Sequence, residues 1–478
     1  MSKKTYPAKS AGPYFPIPRP LTTTLLRIVP GDPSNVSPAI HFLRNDMPPV
    51  LDSTTMTLHA TVDDQSASVL LPLLTTDPIP VEWFDFCLDH LSTSFLELTL
   101  TMTDHDRSQT SLLGRSVLVA SDFASRRGLI HPLLLDSTGL PVARATLDFI
   151  VITPQPAGAP LASVRNGPPR FTGHRGMGSS GPAFPWRSIE NLPESFLLAA
   201  LCDSKVTTVE LDVQLSRDGR TIVYHDWYFR PDGSRDKDAS KSSLRVPLNH
   251  LTFDEMDNLF RSMLHKGDHS VDRNKHLLRE ALQKRDDVSD DVLSTKIWSL
   301  TDVCEVLPEE IGLLVEVKFP SSGVLEESPV PFPEKNFFAD CVLKDIFKVS
   351  RNRRREISFL TFNADLAMML SMKQTLYPVY LSHCEVLDKP CEELDPRCID
   401  LDEGLKFAVS QKLDGMMILN KLVETKPEAI ERIKDRGLPI ITYGSRNTDP
   451  EFVRHQFRMG INGVIADDVN VLTKAFHI

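Results

Sequence analysis

Short runs of alternating apolar and polar residues dominate residues 21–153. The runs TLLRIV, TMTLHATV, FLELTLTMT and ATLDFIVIT are separated by Pro, Gly, Asp and Ser. Alternation with a period of two, interrupted by turn residues, is typical of antiparallel strands that bury one face. The pattern predicts an all-β sandwich over residues 21–153.

A different pattern begins at residue 171, where strand-like runs alternate with helical segments. The strand-like runs are RFTGHRG, TVELDVQL, GLLVEVK, ISFLTF, YPVYLS, GMMIL, PIITYG and GVIAD. Such alternation is typical of a parallel sheet with crossover helices. Eight units predict a closed TIM-type (β/α)8 barrel, an α/β fold, over residues 171–478.

Capping residues punctuate the predicted helices of this barrel. Asn363 stands at the start of NADLAMMLSMKQ, and Asp449 with Pro450 opens the last full helix. Gly437 closes the helical segment ETKPEAIERIKDR.

One run departs from the alternation of strands and helices. In ELDVQLSRDGRTIVYHD, Asp218-Gly219 lies between two strand-like segments, which is a strong hairpin signal. The segment TIVYHD is therefore predicted to run antiparallel, to fold back over the carboxyl-terminal rim and to carry His225 towards the barrel mouth. Residues 230–296 are polar and weakly periodic, and they are predicted to form a partly mobile insertion over the same rim.

Two Pro-rich stretches flank the predicted sandwich. Residues 1–20 combine Lys, Ser and Pro with little apolar content and are predicted to be a disordered arm. Residues 154–170 are rich in Pro, Gly and Ala, and they are predicted to be an extended linker between the two domains.

Charge and composition exclude some classes of function. The 53 basic and 64 acidic residues give a net charge of −11, which argues against a general nucleic-acid binder or a polybasic membrane adaptor. The chain has seven cysteines, an odd number, and it shows neither a signal-peptide pattern nor an apolar run of membrane-spanning length. A cytoplasmic protein without a transmembrane segment is therefore expected.

Carboxylates recur at the ends of two predicted barrel strands. Glu210 and Asp212 are two residues apart, so their side chains project to one face about 7 Å apart along the strand, which suits one hard cation. Glu316 and Lys318 repeat this spacing and bring a third carboxylate and a cation to the mouth. Acids in a run this apolar need a ligand or an ion pair, so a structural ion pair of Glu316 with Lys318 or Arg175 remains open.

Two histidines are placed near these charges. His174 and Arg175 precede Gly176 at the end of the first barrel strand, and His225 is followed by Asp226, which could orient its ring. A single histidine is usually a surface or structural residue. Two histidines near three acids and two cations on the same barrel face indicate a catalytic site.

Residues 171–478 resemble the glycerophosphodiester phosphodiesterase family. The HRG, ExD, HD and ExK elements of that family occur in order, as His174-Arg175-Gly176, Glu210-Leu211-Asp212, His225-Asp226 and Glu316-Val317-Lys318. Further matching segments, among them FLTFNADLAMMLSMKQ and GINGVIADDVNVL, are similar to its cytosolic glycerophosphocholine phosphodiesterase branch. The N-terminal part resembles the C2-like sandwich that precedes the barrel in that branch.

The resemblance implies a reaction and a set of roles. The substrate would be a small-molecule glycerophosphodiester such as glycerophosphocholine, hydrolysed to sn-glycerol 3-phosphate and choline. A divalent cation, Mg²⁺ or Ca²⁺, would be held by Glu210, Asp212 and Glu316. The general acid/base pair would be His174 and His225, and the phosphate would be contacted by Arg175 and Lys318.

Two other functions remain open at this point. One is a lipid-cleaving enzyme similar to phospholipase C or D, although the polar insertion favours a water-soluble head group. The other is a catalytically idle binding protein with a C2-like adaptor domain. Retention of both histidines and all three carboxylates counts against an idle site.

Overall fold

The chain divides into two compact units, Met1–Pro154 and Gln155–Ile478. The computed structural model describes residues 17, 19–32, 39–44, 53–71, 83–156, 167–168, 170–178, 190–201, 206, 208–229, 245–264, 296–320, 331–350, 355–384 and 395–476. Most of the predicted arm, residues 157–166 and 169 of the predicted linker, and residues 230–244 and 265–295 of the predicted insertion lie outside the described residues.

The first unit is the predicted all-β sandwich. Its strands are β1 (Thr24–Pro30), β2 (Ile40–Phe42), β3 (Thr54–Val62), β4 (Gln65–Leu71), β5 (Phe84–Leu88), β6 (Phe95–Asp104), β7 (Gln109–Val119), β8 (Arg127–Ile130), β9 (Leu133–Leu135), β10 (Pro141–Ala145) and β11 (Leu147–Ile152). One sheet has the order β5-β1-β11-β8 and the other β2-β10-β9-β7-β6-β3-β4. The alternation in β3 buries Met56, Leu58 and Ala60, so period-two patterning directs one face to the core.

The second unit is built on the predicted barrel. Its strands are β12 (Phe171–Gly173), β13 (Thr208–Leu215), β14 (Thr221–Val223), β15 (Tyr228–Phe229), β16 (Val246–Pro247), β17 (Gly312–Val317), β18 (Ile357–Thr361), β19 (Val379–Ser382), β20 (Gly415–Leu419), β21 (Ile440–Tyr443) and β22 (Gly463–Ala466). Parallel pairing runs in the order β12-β22-β21-β20-β19-β18-β17-β13, and β12 also pairs with β13. This second pairing closes an eight-stranded barrel, as predicted.

Side chains fill the inside of the barrel. A buried cluster inside it consists of Leu314, Leu360, Tyr380, Met417, Ile441 and Ile465. A TIM barrel is a packed core rather than a pore, so the polar residues that follow these positions along each strand lie at the carboxyl-terminal mouth.

Helices connect the barrel strands. They are α1 (Pro193–Leu201), α2 (Phe253–Leu264), α3 (Leu300–Val306), α4 (Lys335–Ser350), α5 (Ala364–Lys373), α6 (Pro396–Ile399), α7 (Leu401–Ser410), α8 (Leu422–Thr425), α9 (Pro427–Lys434), α10 (Pro450–Met459) and α11 (Val469–Phe476). Among the described residues, no helix is long and apolar enough to cross a bilayer.

The predicted helix starts at Asn363 and Asp449 are confirmed. The Asn363 side chain accepts a hydrogen bond from Leu366 N, and the Asp449 side chain accepts one from Glu451 N. The segment closed by Gly437 differs from the prediction, because it holds two helices rather than one. The break falls at Lys426, because the ring of Pro427 sterically disfavours helical geometry at the residue before it.

The Asp218-Gly219 hairpin is confirmed. β14 pairs antiparallel with β13, with Val223 opposite Val213, and Gly219 adopts a φ of 74° in the turn. β14 is therefore not a barrel strand. It returns the chain over the mouth.

The predicted insertion contains more order than its composition indicates. Residues 253–264 form α2, which buries Met256 and Phe260. Thr252 and Glu255 form a reciprocal capping box, because Glu255 N donates to Thr252 Oγ1 and Thr252 N donates to Glu255 Oε2. The sequence TFDE carries this signal, and the weak periodicity of the surrounding residues obscured it.

Candidate active site

Three carboxylates converge at the barrel mouth. Asp212 on β13 pairs directly with Glu316 on the neighbouring strand β17. Glu210 lies two residues before Asp212, on the same face of β13. One oxygen from each of the three lies within 4.8 Å of the others. The predicted cluster is therefore assembled by the parallel pairing of two neighbouring strands.

The pKa values of the two acids on β13 shift in opposite directions. Burial, together with the charges of Asp212 and Glu316, raises the pKa of Glu210 well above its ordinary value. Burial alone would also raise the pKa of Asp212, but the charges of Arg175, His225 and Lys318 and a hydrogen bond from Asn191 hold that pKa below its ordinary value.

The carboxylate cluster fits a hard divalent cation. Glu210 Oε1 and Asp212 Oδ1 are buried, and neither has a hydrogen-bond partner among the described residues. Buried oxygens without a partner are costly, and carboxylate oxygens are the ligands that Mg²⁺ and Ca²⁺ prefer. A bound cation would give both oxygens a close polar contact, which hydrogen bonds from the described residues do not provide.

Arg175 contacts this cluster through both its backbone and its side chain. Its backbone N donates to Glu210 Oε2 at 2.8 Å, and its φ is 47°. Its guanidinium lies 3.1 Å from Glu190 and 3.3 Å from Asp212. Burial alone would lower the pKa of Arg175, but the charges of Asp212 and Glu190 raise it above its ordinary value.

Lys318 forms the ion pair that the sequence left open. Its Nζ lies 3.3 Å from Glu316 Oε1 and 3.6 Å from Asp212 Oδ1. Burial alone would lower the pKa of Lys318, but these two carboxylates raise it above its ordinary value. The structural ion pair and the carboxylate cluster are thus present together, and Lys318 carries a full positive charge at the mouth.

The two predicted histidines each contact one aspartate. His174 Nδ1 lies 2.6 Å from Asp467 Oδ1, and His225 Nδ1 lies 2.8 Å from Asp226 Oδ1. Each ring has only two nitrogens, so the contact at Nδ1 leaves Nε2 for another partner. The imidazoles are about 30% exposed, at 29% and 30% of their side-chain surface, so a substrate can reach them.

A buried glutamine braces the loop that carries His225. Gln214 Nε2 lies within hydrogen-bond distance of three successive carbonyl oxygens, those of Tyr224, His225 and Asp226. Gln214 is on β13, so these hydrogen bonds hold the segment after β14 against the strand that carries Glu210 and Asp212.

Four residues at this mouth were not predicted as site residues from the sequence. Asn191 has a φ of 61° and exchanges hydrogen bonds with Asp212, donating to its carboxylate and accepting from its backbone N. Glu190 pairs with Arg175, and Asp467 pairs with His174. Trp227 has its ring centroid 5.1 Å from Lys318 Nζ. Two of these residues have a signal in the sequence. Asp467 is an acid directly after the last barrel strand, and Trp227 is an aromatic residue directly after His225-Asp226.

Comparison with known proteins decides the family. Residues 174–471 match the sequence profile of the glycerophosphoryl diester phosphodiesterase family. The chain belongs to this family. The match begins at His174 and contains every residue of the mouth described above.

Individual family members are similar over different lengths. The chain is 28% identical over 340 residues to a glycerophosphocholine phosphodiesterase of Candida albicans, covering 63% of this chain and 28% of that protein. It is 26% identical over 418 residues to a glycerophosphocholine phosphodiesterase of Homo sapiens, covering 82% of this chain and 60% of that protein. The chain thus spans less than two thirds of these two relatives.

The solved structures include an Oleispira antarctica phosphodiesterase in complex with the product sn-glycerol-3-phosphate. Its sequence identity to this chain is 16%, and its TM-score is 0.43. The match covers 65% of this chain and 97% of that one.

Proposed function

We propose that the chain is a metal-dependent phosphodiesterase that hydrolyses glycerophosphocholine to sn-glycerol 3-phosphate and choline. The observation that carries the proposal is the group of three carboxylates within 4.8 Å, two of which have buried oxygens that accept no hydrogen bond from the described residues. The substrate is proposed from the names of the relatives, which are glycerophosphocholine phosphodiesterases. A cytoplasmic location remains a prediction from the sequence.

Each group at the mouth has a proposed role. Glu210, Asp212 and Glu316 would hold Mg²⁺ or Ca²⁺, and the bound cation would supply Lewis-acid stabilisation of negative charge on the phosphoryl oxygens. Arg175 and Lys318, both cationic, would bind the phosphate and orient it.

His174 and His225 are proposed to move the protons. At Nε2, one histidine takes a proton from the attacking oxygen, which is either a water or the neighbouring glycerol hydroxyl. The other donates a proton from Nε2 to the choline oxygen as the phosphorus–oxygen bond breaks. If the hydroxyl attacks, a cyclic phosphate forms, and water opens it in a second step to give sn-glycerol 3-phosphate. Asp467 and Asp226 hold the rings by Nδ1, which keeps the proton of each neutral ring in a defined place.

The test is product identification with and without a chelator. Purified protein is incubated with glycerophosphocholine, glycerophosphoethanolamine and vesicles of phosphatidylcholine. We expect sn-glycerol 3-phosphate and choline from the first substrate, loss of turnover after chelation, and recovery when Mg²⁺ or Ca²⁺ is restored. The variant Asp212→Asn serves as the inactive control.

Other outcomes identify the competing functions. Release of phosphocholine or of diacylglycerol would indicate a phospholipase C-type cleavage. Choline release from phosphatidylcholine with no turnover of glycerophosphocholine would indicate a phospholipase D-type enzyme. Binding of glycerophosphocholine without turnover, at any added metal concentration, would indicate a binding protein.

A further inference from the structure

Aromatic side chains form one wall beside the phosphate-binding cations. Trp227 and Phe332 pack edge to face, with centroids 6.3 Å apart and an interplanar angle of 88°. Phe319 extends the wall from Phe332, with centroids 6.4 Å apart. We refer to Trp227, Phe332 and Phe319 as the aromatic wall. Trp227 and Phe332 are partly exposed, whereas Phe319 is buried.

The aromatic wall adjoins the proposed reaction centre. Trp227 is two residues beyond His225, and Lys318 Nζ lies 5.1 Å from its ring centroid. This distance is within the range for a cation that interacts with an aromatic ring, and tryptophan is the best partner for such a cation. The mouth therefore already places positive charge against this ring.

The chemistry of the proposed substrate fits the wall. Only one ester oxygen and two methylene carbons separate the phosphorus from the trimethylammonium nitrogen of a phosphocholine ester. A phosphate bound at Lys318 thus brings the quaternary nitrogen within reach of Trp227. A quaternary ammonium has no N–H to donate, so aromatic faces are the groups that attract it most effectively.

We infer that Trp227, with Phe332 beside it, binds the quaternary ammonium of the head group and makes the enzyme selective for choline esters. This inference rests on the proposed phosphodiesterase function and adds the residue that sets the preference among head groups. The competing explanation is structural, because Trp227 could serve only to pack the stem of Lys318. The two explanations predict different responses to substrate charge.

The experiment compares two substrates of equal shape. Glycerophosphocholine carries a trimethylammonium, and its 3,3-dimethylbutyl analogue has a neutral carbon in place of the nitrogen. For the wild-type protein we expect kcat/KM to favour the choline ester by about 2- to 30-fold, the usual strength of a cation–aromatic contact expressed as a ratio.

The variants locate the source of this preference. Trp227→Leu should bring the ratio close to one, mainly by raising KM for the choline ester. Trp227→Phe keeps an aromatic face, so it should retain part of the preference, and it serves if the leucine variant does not fold. The matched control is Phe362→Leu, because Phe362 belongs to another aromatic pair in the same unit, with Tyr443 at a centroid distance of 5.8 Å. This control should keep the wild-type ratio.

Several results would overturn the inference. Equal losses on both substrates in Trp227→Leu would show that the ring only supports Lys318. If Phe362→Leu loses the preference for the choline ester while Trp227→Leu keeps the wild-type ratio, the head group binds at the pair of Phe362 and Tyr443 instead. If wild-type protein hydrolyses both substrates at equal kcat/KM, the proposed function stands and this inference fails. If it hydrolyses neither, both fail.

Discussion

At the scale of single residues, the barrel mouth brings basic and acidic side chains into contact, but some buried carboxylate oxygens still accept no hydrogen bond from the described residues. Arg175 contacts Asp212, and Lys318 contacts Asp212 and Glu316. Among the described residues, neither Glu210 Oε1 nor Asp212 Oδ1 accepts a hydrogen bond, and Asp212 Oδ1 has only the longer ion-pair contact with Lys318. Burial of such groups lowers stability in the protein without metal. The same feature would favour binding of the proposed cation.

Replacing Glu210 with Gln separates metal binding from folding. Burial and the neighbouring acids raise the pKa of Glu210, so the folded protein holds this proton more tightly than the unfolded chain. The stability of the chelated wild-type protein should therefore rise as pH falls from the raised pKa towards the ordinary glutamate value of about 4.3. In Glu210→Gln this pH dependence should flatten, and Mg²⁺ or Ca²⁺ affinity should fall.

Thermal unfolding of chelated protein between about pH 5 and 8, together with calorimetric metal titration, tests this prediction. Glu428→Gln, at an exposed position on α9, should change neither measurement. Unchanged metal affinity in Glu210→Gln would remove Glu210 from the proposed ligands.

The two histidines should show the behaviour of one proton path. His174→Ala and His225→Ala should each lower kcat by roughly 10²- to 10⁴-fold, with smaller changes in KM. The double variant should lose little more than either single variant, because both histidines are proposed to serve one proton path. Steady-state kinetics on glycerophosphocholine measures these changes, and His455→Ala, exposed on α10, is the control.

A substrate with a better leaving group distinguishes the acid from the base. Such a substrate should rescue the variant that lacks the acid far more than the variant that lacks the base. Equal rescue of the two variants would contradict this division of roles.

At the scale of elements, the turn after β12 shapes the site through its backbone. Gly176 has a φ of 90°, and a Cβ there would lie 2.4 Å from Ser195 Oγ and 2.5 Å from the Ser195 carbonyl carbon. Ser195 in turn donates to the Arg175 carbonyl oxygen and accepts from Met177 N. The start of α1 therefore fixes the turn that presents His174 and Arg175.

Replacing Gly176 with Ala should lower both stability and activity more than the strain of its positive φ alone would, because the added Cβ would also clash with Ser195. We expect a large loss of turnover and a lower melting temperature, because the backbone of Ser195 must move. Gly437→Ala is the matched control, since Gly437 also has a positive φ, of 71°, but no atom of the residues that the structure describes lies within 4 Å of its added Cβ. That variant should lose only about 1–2 kcal/mol of stability and no activity. Equal effects in the two variants would show that steric contact at Ser195 is unimportant.

At the scale of the whole molecule, the two units have separate hydrophobic cores. The sandwich core includes Leu58, Leu98 and Phe149, and the barrel core draws on strands and helices from Phe171 to Leu472. The domain limits of 21–153 and 171–478, joined by residues 154–170, remain a prediction. All seven proposed site residues belong to the second unit.

A fragment of residues 155–478 should therefore fold and retain hydrolysis. Its own core is continuous, and the proposed ligands, cations and histidines are all included. Turnover per bound metal should stay within a few-fold of that of the full chain. A folded, metal-binding fragment without turnover would show that the sandwich completes the site. Circular dichroism and metal titration establish folding before activity is measured.

The sequence alone determined the order and type of the main elements. Apolar alternation in runs such as TMTLHATV specifies strands with one buried face, and eight apolar runs after residue 171 specify the barrel. Spacing of two residues placed Glu210 and Asp212 on one face, and Asp218-Gly219 specified the hairpin. These features depend on neighbours along the chain, so local physics suffices to predict them.

Only the tertiary structure decided which distant residues meet. Asp467 reaches His174 across 293 positions because the last strand pairs with the first when the barrel closes. Trp227 meets Phe332 because the hairpin returns over the mouth, and no spacing in the sequence encodes that contact. The buried oxygens of Glu210 and Asp212 likewise acquire their electrostatic role from burial, which a linear pattern does not measure.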